Sequence, residues 1–89
     1  MVRPIDGIHA TPLNQSVLRA LLELTEPKHA LDIAEQTRGA DGPVVVFLTQ
    51  LAGAGWATIQ HDDEGSPRFE LTGIGRRKAT ALLADAGGS

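Results

Sequence analysis

No cysteine occurs among the 89 residues. The chain can therefore form neither disulfides nor thiolate metal sites, which suits a reducing compartment and makes a cytoplasmic protein the expectation. Long apolar runs are missing too. The opening "MVRPIDGIHATPLNQ" lacks the apolar stretch of a signal peptide, and no segment approaches the roughly 20 apolar residues of a membrane span. A soluble protein with no membrane partner is expected. Basic charge is also scarce: Lys and Arg number 8 against 11 Asp and Glu, a net charge of −3. Phosphate-binding domains usually carry a basic excess, so composition leans away from nucleic acid. The stretch from Gly39 to Pro67 contains no Lys or Arg, yet it holds Asp41, Asp62, Asp63 and Glu64.

Catalytic signatures are absent as well. His9, His29 and His61 lie far apart, and none has a second metal ligand three or four residues away. "HDDE" lacks the alternating spacing of a calcium loop and reads as an acidic turn. Ser16, Ser66 and Ser89 sit in no nucleophile elbow, and the "GAG" at Gly53 closes a helix instead of opening one around a phosphate. Neither an enzyme, nor a metal site, nor a cofactor is expected.

At this length one domain with one compact core is the ceiling. Residues 1–10 and 86–89 show no period and carry Pro4, Gly7 and a Gly-rich end, so they read as flexible flanks of a domain over residues 11–85. Thr11 and Pro12 suit the start of a helix to about Thr25, with Leu13, Val17, Leu21 and Leu24 on one face. "HALDIAEQTR" gives a short second helix ending at Gly39. In "GPVVVFLTQLAGAGW", Val44, Leu48 and Leu51 form an inward stripe, which predicts a third helix from Pro43 to Ala54 despite its β-branched start. From Trp56 the period becomes two. "WATIQH" and "RFELT" predict a hairpin around "DDEGSP", with Trp56 capping the core and Ile59 as the likeliest core contact of the first strand. "GIGRRKATALLADA" then restores helical spacing, with Arg76, Arg77 and Lys78 placed unfavourably near a helix start.

Three helices, a hairpin and a closing helix are the order of an α+β winged helix. Helices 2 and 3 would form the helix-turn-helix pair and the hairpin the wing. "FLTQLAGAGWATIQHDDEGSPRFELTGIGRRKATALL" resembles the winged-helix domain of PadR-type transcriptional regulators, above all in Leu71, Thr72, Gly75 and Arg76. MarR-like winged helices share the Leu-Thr-x-x-Gly element. The resemblance implies binding of double-stranded DNA through helix 3 and the wing, usually by a homodimer built on further C-terminal helices. The sequence stops soon after the fourth helix, so any homodimer is expected to use another surface.

Two uses of helix 3 follow. As a DNA reader it offers Thr49 and Gln50 to base edges, supported by Arg38, Arg68, Arg76, Arg77 and Lys78, with Lys28 nearby, and the few cations predict weak, shallowly salt-dependent binding. Alternatively Val45, Val46, Phe47 and Thr49 form an uncharged face for a protein partner or a second copy, since interface cores favour apolar residues.

Overall fold

The structure is a computed structural model that describes residues 3–87. The expected flexible end at residues 86–89 thus lies partly outside the described residues. In chain order the elements are α1 (Pro12–Leu22), β1 (Lys28–His29), α2 (Ala30–Thr37), α3 (Asp41–Gly53), β2 (Ala57–His61), β3 (Pro67–Leu71) and α4 (Gly73–Gly87). The strands form one antiparallel sheet in the order β1-β3-β2.

Local chemistry explains most of the boundaries. The Thr11 hydroxyl accepts the Asn14 N–H at 3.2 Å, the N-cap bond that Pro12 in the first turn makes compatible with a helix start. Helix α1 ends at Leu22, earlier than its apolar spacing suggested, because Glu23 and Leu24 tighten into single turns onto Ala20 and Leu21. Helix α2 closes on a left-handed residue, but that residue is Arg38 (φ 57°) and not the following glycine. The Gly39 N–H reaches back five residues to the Ala34 carbonyl at 3.0 Å, the wider-spanning of the two bonds of a Schellman closure. Gly39 itself is required by space: a Cβ there would stand 2.8 Å from Val44 Cγ2 and 2.9 Å from Leu13 Cδ1.

The core lies between the helical layer and one face of the sheet. Val44, Leu48 and Leu51 point inward as expected, and Trp56 is wholly buried with Phe69 and Leu71 beside it. Two expectations are corrected. Phe47, expected at the border of the outward face, is 3% exposed and belongs to the core, widening the inward arc of α3 by one residue. Ile59 is 41% exposed, because β2 is an edge strand and only Ala57, at its root, reaches under the helices.

Residues 5–8 also differ from the frayed segment the sequence suggested, while residues 1 and 2 lie outside the described residues. Ile5 and Ile8 exchange both backbone hydrogen bonds, at 3.1 and 2.8 Å, around Asp6 and Gly7. Both central residues have positive φ (52° and 79°), as a two-residue type I′ turn requires. Ile8 is fully buried. Its burial, equivalent to roughly 1.5–3 kcal/mol of side-chain transfer, fastens the turn onto the domain.

Candidate nucleic-acid interface

Helix α3 is apolar on both sides, whereas an ordinary surface helix confines apolar residues to its inward stripe. With Val44, Phe47, Leu48 and Leu51 inward, Gly42, Val46, Thr49 and Gly53 run along the centre of the opposite face, and Val45 and Gln50 flank it. Val46 is 69% exposed. Apart from chain neighbours and the helix's own backbone, no atom comes within 4 Å of where a Cβ would stand at Gly42 or Gly53, so this face is low in relief and open. The polar groups on it are partly committed. The Thr49 hydroxyl donates to the Val45 carbonyl at 2.9 Å, and the Gln50 amide donates to the Gly7 carbonyl at 3.2 Å.

The wing is tied to α2 through one carboxylate. Asp62 Oδ1 accepts the Ser66 and Glu64 N–H groups, each at 2.9 Å, which shapes the turn, while Gly65 supplies the positive φ (81°). Asp62 Oδ2 lies 3.1 Å from His29 Nε2 and 3.8 Å from Arg68 Nε. The Ser66 backbone N–H above all, with that of Glu64 and the His29 and Arg68 charges, holds the Asp62 carboxyl below the ordinary aspartate range against a smaller desolvation cost. Of the three acids around the wing turn, Asp62 is therefore turned inward onto His29 and Arg68; Asp63 and Glu64 remain exposed. Strand β1 had no sequence signal. It pairs Lys28 with Phe69 and His29 with Arg68, fixing Arg68 beside the first turn of α2. The Lys28 ammonium donates to Gln36 Oε1 at 2.6 Å.

The cations divide between two sides. Arg38 projects from the α2–α3 turn and Arg68 from the turn end of β3, opposite Gln60, its buried Nε having no hydrogen-bond partner and lying 3.8 Å from Asp62. The remaining three lie on α4. Arg76, expected to meet phosphate, instead donates to the Leu22 and Leu24 carbonyls at 3.2 and 3.1 Å, capping the end of α1. Lys78 pairs with Asp6 Oδ2, which also accepts the Trp56 indole N–H at 3.0 Å. The Lys78 ammonium first, and the indole second, lower the Asp6 carboxyl below its usual range. Arg77 stays exposed next to Ile74. Among the described residues, no three His, Asp or Glu side chains gather as metal ligands, and no helix is long and apolar enough to cross a membrane.

The motif that carries the family resemblance has a packing task. Leu71 is buried, the Thr72 N–H donates to the Trp56 carbonyl at 2.8 Å, and the Thr72 hydroxyl accepts the Gly75 N–H at 2.9 Å as the cap of α4. Gly75 must be glycine, since a Cβ would lie 1.8 Å from the Trp56 carbonyl oxygen.

No family model matches the sequence, and no curated protein matches it either. Solved structures do. A Ralstonia eutropha protein, whose own assignment to DNA binding is provisional, is 26% identical over 82% of this chain and 96% of its own, with a TM-score of 0.69. A MarR family transcriptional regulator from Silicibacter pomeroyi is 22% identical over 88% of this chain, TM-score 0.68. AbfR, solved bound to DNA, is 19% identical over 82% of the chain, TM-score 0.67. The fold is that of a winged helix. The match spans 55% and 54% of the two latter chains, so this chain covers about half of their length. Strands β2 and β3 are the wing, and α2 and α3 the helix-turn-helix pair, with α3 its second helix.

Proposed function

We propose that this domain binds double-stranded DNA as part of a transcriptional regulator, with α3 in the major groove and the wing along the backbone. The observation that carries the reading is the position of Arg38. Its left-handed backbone costs a non-glycine residue roughly 1–2 kcal/mol, and strain of this kind is retained where the side chain has work to do. Arg38 stands at the N-terminal end of α3, where a phosphate would also meet the helix dipole and backbone N–H groups that no side chain caps. Arg68 supplies the second backbone contact, Thr49 faces the bases, and Gln50 offers what remains of its amide beyond the bond to Gly7. Likeness to the Ralstonia eutropha protein and to DNA-bound AbfR supports the same reading. The Leu71–Thr72–Gly75–Arg76 element that suggests a PadR-type protein serves packing needs shared by other winged helices, so the reading rests on the fold and its open face. Arg38, and Arg68 shared with Asp62, make binding weak and set a salt slope of at most about 2 per domain.

Fluorescence anisotropy with a pool of genomic duplexes tests this. Binding at low salt should weaken as salt rises, and Arg38→Ala or Arg68→Ala should each lower the slope by about one. Absence of binding at low salt would refute the proposal. A second reading is favoured by one observation. Leu31, Val45 and Pro67 line an apolar groove of about 390 Å³ between α2, α3 and the wing. A protein partner or second copy seated there would be lost on Val45→Glu; an unchanged sedimentation profile in that variant removes this reading.

A further inference from the structure

The chemistry of the α3 face constrains which bases it can meet, given the duplex-binding reading above on which this inference rests. In the major groove guanine shows two acceptors, N7 and O6, whereas thymine shows one acceptor and the C5 methyl group. Guanine is normally read by a cation, and α3 has none. Its hydroxyl proton at Thr49 is used on the Val45 carbonyl, and one Gln50 amide proton is used on the Gly7 carbonyl. Asp41, one turn before Val45, adds a further acceptor. A guanine pressed against this surface loses water from two acceptors and gains almost no donor in return, a penalty that excludes as effectively as a clash.

What the face does offer is methyl groups. Val46 at its centre is 69% exposed, Val45 lies on its flank, and Thr49 contributes a methyl while its hydroxyl is turned to the helix backbone. Gly42 and Gly53, open on the same line, let the helix approach the base edges closely. We propose that α3 recognises thymine C5 methyl groups, with Val46 as the specificity-determining residue, and rejects guanine at the same positions. Specificity then comes from apolar contact and from withheld donors in place of bidentate hydrogen bonds.

The test selects duplexes from a randomised pool with the full chain at low salt, then resynthesises a recovered duplex with deoxyuracil, which lacks the methyl, at each thymine in turn. The expected result is that recovered duplexes share thymines whose replacement weakens binding about fourfold per methyl. In Val46→Ala the same replacement should change affinity less than about twofold, with thermal unfolding unaltered since the side chain is exposed. Two results overturn the inference while leaving duplex binding intact: recovered duplexes without a thymine preference, or an equal deoxyuracil effect in wild type and Val46→Ala. Recovery of no duplex at all overturns the duplex-binding reading and this inference together.

Discussion

The two sides of the molecule spend their charges differently. On the α4 side, Lys78, Arg76 and the Trp56 indole all end on partners within the chain: Asp6, and the Leu22 and Leu24 carbonyls. On the α3 side the helix carries no cation; Arg38 stands exposed at its N-terminal end, and Arg68 lies beside the Asp62 carboxylate. A cationic residue is thus a poor guide to a phosphate site until its partners are known. The richest basic run in the sequence, Arg76 to Lys78, mostly closes the fold, while Arg38 stays exposed and Arg68 is shared with Asp62.

Breaking the closed side should cost most. Trp56→Ala removes a fully buried indole and its bond to Asp6, and is expected to lower stability by about 3–5 kcal/mol in denaturant unfolding. A loss below about 1 kcal/mol would show that the clasp around Asp6 matters little. Arg76→Ala comes next, at about 1–3 kcal/mol, because it strands two carbonyls at the end of α1; Arg77→Ala, on an exposed neighbour, should stay within about 0.5 kcal/mol. Equal effects of the two would contradict the assignment of Arg76 to the fold.

Arg38→Gly sharpens the comparison, since its two consequences oppose each other. Relief of the left-handed backbone should raise stability by about 1 kcal/mol or less, while duplex affinity falls with the lost cation. Destabilisation would mean that the side chain holds the α2–α3 turn. The smallest effect is that of acid. Asp6 and Asp62 both titrate lower in the folded chain than in the unfolded one, so their contribution is complete above the ordinary aspartate pKa of about 4 and is lost as pH falls through the lowered folded values. Thermal midpoints should therefore drop below about pH 4, and Asp62→Asn should flatten part of that drop.

Much of this architecture was legible in the residues. Four helices and a hairpin follow from apolar spacing, and the inward stripe of Val44, Leu48 and Leu51 is where periodicity put it. Phe47 was not assignable, because a helix that is apolar on both sides gives the period no contrast. Strand β1 is two residues long, too short for alternation to show, and exists only because β3 lies beside it. The turn at Asp6 and Gly7 did carry a signal, an Asp-Gly pair between two isoleucines, which a search for longer periods passes over. The partners of Arg76 and Lys78 lie 52 to 72 residues away in the chain, beyond any local pattern. Of the candidate site, the open face with Val46 and Thr49 was readable, whereas the commitment of the Gln50 amide to Gly7 was not.

Gly75 has a mechanical meaning as well as a steric one. Its backbone rests directly on the carbonyl of Trp56, and Thr72 bonds to that same carbonyl while capping α4. The first turn of α4 and the root of the wing share one fulcrum with no side chain between them to absorb movement. The start of α4 is thereby set directly against the backbone at the root of β2, with only main-chain atoms and the Thr72 hydroxyl fixing their separation.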